Sequence, residues 1–598
     1  MPGILKKITN KNSIYLAILV LLIIIYSLNN YFWILKDQTP PTTDEAIHLE
    51  DTLQQYHWLD NGEYKDAFFQ YRNYYPPLLN QFTGLIYLIL NTSLEISLML
   101  NMAFIAILCF SMYFLGKHIW NEKVGLLCAI ASITFPFMSY QSHEYYLDLP
   151  SAAFAAFSLL CLVKARCFTS PGWTVGFFVA TAIGLLVKWS TPFFIVVPFI
   201  IYFGYFTINL IKDKKNRWLF LVFMLAIFIV VISGYISIGS EKLQYDVIFK
   251  TYGASVLPFL ALLLVAFFMP LEKKGAKYFT IGVILFFVII WHFYAMNLKF
   301  IIDSLVSGAS SGVQEGDNYS LSVFLKLFVF SFQGIPWTLF LITGILFYIF
   351  NREKTREQTV LIVGLISSFL IFYILPNKDS RYLLPMVIYT APLLTCWIPG
   401  LKWKPLRYGL IVILIIFALL GTMGWVFFQP PDEDLINQVE FPLIASAPTR
   451  EPWHLSLIST KMAGLSDDDD VLIIYTSATK SVNKIWGNSF TWAYRQKSGK
   501  KLIIYRLPRN RFPNFFYKND LLQSFQAYSA ESPDPNKDYK KVVILYIFQN
   551  DMDGSFTQQI QTIFDETGLA GDITHMEEID IANNLKARII VNEVRWDH

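Results

Sequence analysis

Long apolar stretches alternate with short polar ones over the first 428 residues, and then the pattern changes. A run of about 20 apolar residues is the length of a helix that crosses a bilayer. Such runs fall at 14–35, 95–116, 124–142, 149–165, 173–187, 192–211, 217–237, 254–271, 278–295, 321–350, 358–376, 382–399 and 406–428. They predict thirteen transmembrane helices. The stretch Leu78 to Leu90 is apolar but has only 13 residues. It is too short to span and is assigned to the interface. Beyond Gln429-Pro-Pro the runs shrink to strand length at Val471–Tyr475, Leu502–Tyr505, Val542–Phe548 and Arg588–Val591. Helix-like stretches lie between them at 481–497 and 556–567, so an α/β domain is predicted there. The expected fold is a polytopic α-helical membrane protein. Residues 1–428 form its membrane module, 36–94 its first external loop with interfacial helices, and 429–598 an extracytoplasmic soluble α/β domain.

Charge fixes the expected threading. Lys6, Lys7 and Lys11 precede the first run, which is longer than a signal-peptide core and lacks a small-residue cleavage site. It reads as an uncleaved helix with a cytoplasmic N-terminus. With thirteen helices, one set of connections and the N-terminus hold twenty lysines and arginines, and the opposite set holds nine. Cytoplasmic loops are the basic ones. A spanning Leu78–Leu90 would invert that bias. The expected location is a plasma (inner) membrane, with the C-terminal domain outside the cytoplasm.

Composition agrees with a membrane protein and excludes several function classes. The chain of 598 residues is 54% hydrophobic and 16% charged, against about 25% charged in soluble domains. Aromatics reach 17%, which suits interfacial belts. A net charge of +3 suggests no nucleic-acid partner. Cys109, Cys128, Cys161, Cys167 and Cys396 all lie in or beside apolar runs. They suggest neither a disulfide framework nor a zinc site. The acidic run Asp467–Asp470 reads as a solvated turn before a strand.

Ionisable residues are costly near a membrane core, so their positions point to function. Here they gather at the predicted outer ends of helices. Pro40-Pro-Thr-Thr-Asp44-Glu45-Ala-Ile-His48 follows the first helix. Thr42-x-x-Glu45 fits a capping box, whereas Asp44 is not explained by capping and shares a helical face with His48. His143-Glu144-Tyr-Tyr-Leu-Asp148-Leu-Pro150 joins the third and fourth helices. Arg72, Lys188, Lys378 and Arg381 are basic on the face that the charge bias depletes, and Tyr382 adds a hydroxyl. One such cation alone is an ordinary headgroup anchor; four together suit a phosphate at membrane depth.

Carboxylates beside a phosphate receptor at the outer interface imply a transfer reaction. A polyprenyl-phosphate sugar keeps its tail in the bilayer and its anomeric phosphate at the interface. A carboxylate takes the proton of an attacking acceptor hydroxyl, and cations stabilise the departing phosphate. Asp44, Glu45 and Asp148 are the catalytic candidates; Arg72, Lys188, Lys378, Arg381 and Tyr382 are the phosphate-binding candidates. The expected partners are that lipid donor, an extracytoplasmic acceptor (lipid, glycan or protein) and membrane lipids. No nucleotide cofactor is needed. His48, His143 and Glu144 carry donor atoms suited to a divalent cation, so a metal-assisted variant stays open.

At these residues the chain resembles the GT-C membrane glycosyltransferases, in the branch of protein O-mannosyltransferases and the aminoarabinose transferase of lipid A. The resemblance is carried in order by Asp44-Glu45, Pro76-Pro77-Leu78, Leu147-Asp148-Leu149-Pro150, Gly184-Leu-Leu-Val-Lys188, Gly334-Ile-Pro-Trp337 and Lys378-x-x-x-Tyr382-Leu-Leu-Pro385. It covers roughly residues 1–428. It implies that Asp44 is the catalytic acid/base and that Asp148, Lys188, Lys378 and Tyr382 line the donor phosphate. The aminoarabinose branch has Glu-Lys before the first-loop proline, where this chain has Tyr74-Tyr75. The sugar is therefore left open. A glycan ligase or polymerase acting on a lipid diphosphate, and a transporter of lipid-linked glycan, remain alternatives. Two related halves would favour a transporter, and no internal repeat is present. The threading predicts that a reporter active only outside the cytoplasm works when fused after His598; activity of a cytoplasm-only reporter there would overturn it.

Overall fold

Helix boundaries in the N-terminal part follow the breakers in the sequence. The computed structural model describes residues 11–211 apart from 38–40, 42, 70 and 72, and residues 274–427 apart from 315–320, 327, 330, 331, 333, 352, 353 and 375–379. It also describes residues 458 and 461 and five strands between 471 and 593. Two compact units divide the chain. Residues 1–34, 62–83 and 95–447 form one; residues 35–61, 84–94 and 448–598 form the other. The first-loop helix Thr43–Asp60 thus groups with the C-terminal residues.

The first unit is helical. Helix Lys11–Lys36 comes first, and beyond residue 100 follow, in order, Asn101–Ile119, Glu122–Thr134, Pro136–Ser142, Asp148–Lys164, Pro171–Val187 and Val196–Ile211. Asn121 caps Glu122–Thr134 by accepting from the Lys123 and Val124 amides at 3.0 and 3.1 Å. Pro136 and Pro171 each open a helix, where a missing N–H costs nothing. Ile14, Leu21 and Leu28 face outward on the first helix, as lipid contact requires. Among the described residues, five helices are long and apolar enough to cross a membrane: Ile14–Lys36, Leu94–Ile119, Gly275–Asn297, Arg356–Ile374 and Arg381–Gly400. Leu78–Ile89 forms a helix of 12 residues, about 18 Å long, below the roughly 30 Å of a hydrocarbon core. The helices expected at 217–237 and 254–271 lie outside the described residues.

Several boundaries differ from expectation: the run 124–142 breaks at the extended Phe135 before Pro136, and 382–399 divides into the 3-10 stretch Ser380–Met386 and helix Val387–Thr395. The helix expected at 278–295 runs from Lys274 to Gln314, 41 residues. Asn297 and Lys299 end the apolar run, but a polar residue does not end a helix and no proline follows. The single helix expected at 321–350 is interrupted. Leu321–Lys326 precedes a new helix, Ile335–Phe350, which starts at Gly334 with φ of 80° and has Pro336 in its first turn. That backbone conformation is open to glycine, and proline cannot continue a preceding helix.

In the second unit the five strands form one mixed sheet of order β2-β1-β3-β5-β4. β1 (Val471–Ser477) pairs in parallel with β2 (Ile504–Arg506) and β3 (Lys541–Gln549). β5 (Leu585–Glu593) runs antiparallel between β3 and β4 (Ile573–Ile581). Ile473 sits opposite both Ile504 and Val543, and Val543 opposite Val591. The apolar runs anticipated four strands. β4 was missed because Glu577, Glu578 and Asp580 break its apolar signal. The helices expected at 481–497 and 556–567 lie outside the described residues.

Without a hydrophobic drive between helices in lipid, close backbone approach holds them together. Gly344 is buried in Ile335–Phe350, and a Cβ there would overlap the Leu393 carbonyl of helix Val387–Thr395. Gly409 has nothing within 4 Å of its Cβ position. Gly344→Ala is therefore expected to cost about 1–3 kcal/mol through overpacking. Gly409→Ala is expected to be neutral or to gain up to about 1 kcal/mol from helix propensity. Thermal unfolding of both variants in detergent checks the contrast; equal effects would contradict it.

Candidate active site

Two helix ends are joined by a buried ion pair. Asp148 opens helix Asp148–Lys164, where an acid also suits the positive end of the helix dipole. Pro150 lies in that first turn, where it removes no helical hydrogen bond. Lys188 is the first residue beyond helix Pro171–Val187, with an extended backbone, and its N–H still donates to the Gly184 carbonyl at 2.9 Å. Thr191 fixes the turn that follows. Its N–H donates to the Lys188 carbonyl at 3.0 Å and its hydroxyl to the Gly184 carbonyl at 2.9 Å. The Ser151 and Thr191 hydroxyls meet at 2.8 Å. With both ends stitched, Lys188 Nζ donates to Asp148 Oδ1 at 2.5 Å, and both side chains are buried.

Aromatic rings frame the cations. Lys188 Nζ lies 4.7 Å from the Tyr382 ring centre. The Arg381 guanidinium lies 5.1 Å from the Tyr146 ring and 5.3 Å from Tyr382, and Nη2 donates to the Tyr382 hydroxyl at 3.5 Å. Arg381 and Tyr382 belong to the 3-10 stretch Ser380–Met386 and are half-buried. From the other side, Tyr74 meets Trp189 edge-on at 5.9 Å. Burial, with the nearby Tyr382 hydroxyl adding to it, pushes the Tyr74 phenol above its ordinary value, so it remains a neutral donor. The chain around Tyr74 is held by Asn297. The Asn297 Nδ2 donates to the Tyr71 carbonyl at 3.3 Å, and its Oδ1 accepts from the Asn73 amide at 3.2 Å.

The structure therefore brings together four of the residues singled out in the sequence: Asp148, Lys188, Arg381 and Tyr382. Arg72 and Lys378 lie outside the described residues. Asp44, Glu45 and His48 lie on helix Thr43–Asp60 of the second unit, Asp44 half-buried and the other two buried. Thr42, the capping partner expected for Glu45, lies outside the described residues.

The expected metal set divides between the units, His48 in the second and His143 and Glu144 in the first. Among the described residues, no three His, Cys, Asp or Glu side chains gather as ligands. His143 Nε2 is 3.2 Å from Asn30 Oδ1, and its ring stacks flat on Trp33 at 3.8 Å. Burial pushes the His143 imidazole down to about 3, so it is neutral. Its ring is committed to the first helix.

Three contributors were not singled out in the sequence: Tyr146, Tyr74 and Trp189. Each is adjacent, or two positions away, from a residue that was: Asp148, Arg72 and Lys188. For Tyr74 and Trp189 a basic residue close by in the sequence is the available signal; Tyr146 meets Arg381 only through the fold. Removing one partner of a buried ion pair leaves an uncompensated charge. Lys188→Met alone should cost about 3–5 kcal/mol. Adding Asp148→Asn should return most of that stability but not activity. Thermal unfolding and turnover of the single and double variants check this; a stable single variant would contradict the pairing.

Residues 75–235 match the family model for dolichyl-phosphate-mannose-protein mannosyltransferase. No curated protein sequence matches the chain. Among solved structures, the chain is similar to ArnT from Cupriavidus metallidurans bound to undecaprenyl phosphate, with a TM-score of 0.52 and 13% identity over 96% of this chain and 97% of that one. The apo form of the same protein gives 0.50 at 13% identity and the same coverage. The Archaeoglobus fulgidus oligosaccharyltransferase tethered to an acceptor peptide gives 0.51 at 12% identity, over 90% of this chain and 69% of that one. The fold is that of the GT-C glycosyltransferases, and the chain is similar to enzymes that use lipid-phosphate-linked sugars.

Proposed function

We propose that the protein is an inverting glycosyltransferase that moves a sugar from a polyprenyl-phosphate donor to an acceptor outside the cytoplasm. The observation that carries this reading is the cationic pair Lys188 and Arg381 around Tyr382, with Lys188 held in place by Asp148. Two cations and a tyrosine hydroxyl gathered in one cluster are the donor set that suits a phosphate. The ArnT structure is bound to undecaprenyl phosphate, and the oligosaccharyltransferase carries an acceptor peptide; both support a lipid donor and a separate acceptor.

In the proposed reaction an acceptor hydroxyl gives its proton to the Asp44 carboxylate as its oxygen attacks the anomeric carbon. A new glycosidic C–O bond forms and the C–O bond to phosphate breaks. The electron pair leaves with polyprenyl phosphate, whose growing charge is met by Lys188, Arg381 and the Tyr382 hydroxyl. Arg72 and Lys378 are proposed to add to that receptor. Asp148 orients Lys188 in this reading, and Glu45 supports the start of its helix. The lipid phosphate is itself the leaving group, so no nucleotide enters.

Purified protein given a polyprenyl monophosphate sugar and a candidate acceptor should release free polyprenyl phosphate. A ligase or polymerase would act on the diphosphate-linked donor instead, and a transporter would release no polyprenyl phosphate. General bases contribute about 10²–10⁴-fold, so Asp44→Asn should lower turnover by that order while donor binding and thermal stability hold. Normal turnover in Asp44→Asn with a dead Glu45→Gln would move the base to Glu45. Activity in both would end the acid–base reading of this loop.

A further inference from the structure

The short segment between Ser142 and Asp148 carries two groups of the candidate site. Asp148 reaches Lys188, and Tyr146 lies under Arg381. Four side chains hold that segment from outside the site. Asn30, fully buried on helix Lys11–Lys36, uses both ends of its amide. Nδ2 donates to Ser142 Oγ at 2.8 Å, so Oδ1 faces His143 Nε2 at 3.2 Å. His143 must then carry its proton on Nε2 and donate it. The Tyr26 hydroxyl donates to the same Ser142 Oγ at 3.3 Å, and Ser142 Oγ donates to the Ser139 carbonyl at 2.7 Å. Asn101 Nδ2 donates to the Ser142 and Glu144 carbonyls at 3.2 and 2.9 Å. The His143 ring lies on Trp33 with 2° between the planes.

Such a network is more than packing. A buried polar group left unpaired is costly, so each hydrogen bond restricts the others to one arrangement. The Asn30 amide can donate to Ser142 and accept from His143 at once because its donor and acceptor are separate atoms. Every partner sits on the first helix or on the segment itself, apart from Asn101 and the Ser139 carbonyl of helix Pro136–Ser142. The first helix therefore sets where the segment starts, and the start sets where Tyr146 and Asp148 stand.

We propose that Asn30 and His143 are positioning residues: they clamp the segment Ser142–Asp148 so that Asp148 and Tyr146 hold Lys188 and Arg381 in the arrangement that receives the donor phosphate. The proposal rests on the functional reading above. It gives His143 a role that needs no metal.

The test uses the full chain in detergent, with undecaprenyl phosphate as the probe. His143→Phe keeps a flat ring for Trp33 and removes the hydrogen bond to Asn30. Affinity for the probe should fall about 2- to 10-fold, the range of one buried hydrogen bond. Thr395→Val is the control. It removes hydrogen bonds to Cys128 Sγ and the Ala391 carbonyl elsewhere in the same unit, and should lose stability without losing affinity. Ser142→Ala removes the shared hydroxyl and should weaken probe binding as His143→Phe does, even if His143→Phe does not fold. Unchanged affinity in a folded His143→Phe or in Ser142→Ala would overturn the clamp. So would a control weakened as much as either variant. Wild-type protein that binds no probe would sink the functional reading, and the clamp with it.

Discussion

The Asp148–Lys188 ion pair is the constraint on which the described helical unit depends. Each charge has left water, and the mutual attraction repays that loss only when geometry is tight and the remaining valences are filled. The contact is short and both side chains are buried. Thr191, Ser151 and Gly184 fix the two helix ends by short hydrogen bonds, and the Tyr382 ring covers the ammonium. Two helices that leave the core at one level are thereby tied at their ends. The tie is polar where most of the surrounding contact is apolar, so it specifies register as well as proximity.

The rest of the unit solves a different problem. Its outward surface is apolar, with Leu28, Leu339 and Leu370 exposed, so burial alone does not choose helix partners. Small residues and hydrogen bonds between helices choose them instead. Gly344 admits the Leu393 backbone, and Thr395 meets Cys128 across two helices. Asn30 does the same work near the C-terminal end of the first helix.

Much of this was legible from run length. Helices such as Pro171–Val187 and Arg356–Ile374 match the apolar runs to within a few residues, because hydrocarbon length and helix rise fix how long a run must be. The ends were less legible. The helix Lys274–Gln314 outlasts its apolar run, since hydropathy reports the surroundings and not the hydrogen-bond ladder. In the site, Asp148, Lys188, Arg381 and Tyr382 stood out as polar residues where polarity is costly. Their pairing did not. Asp148 and Lys188 are 40 positions apart, and no local pattern says which acid neutralises which base. For the same reason the stacking of His143 on Trp33 has no signal in the sequence, since the two residues are more than 100 positions apart.

The two cations of the site have a consequence for turnover. Lys188 and Arg381 meet around the Tyr382 ring, with Asp148 paired to Lys188. In the proposed reaction the donor is a phosphodiester with one negative charge. The released polyprenyl phosphate is a monoester, and with a second ionisation near pH 6 it carries about 1.5 to 2 negative charges at pH 7. A fixed positive site attracts the more highly charged species more strongly. The enzyme would then hold its spent carrier lipid more tightly than its fresh one, and clearance of the carrier, rather than glycosyl transfer, would set the pace. Competitive inhibition by polyprenyl phosphate at concentrations below the donor KM would be its signature, and the membrane's recycling of that lipid would become part of the enzyme's own kinetics.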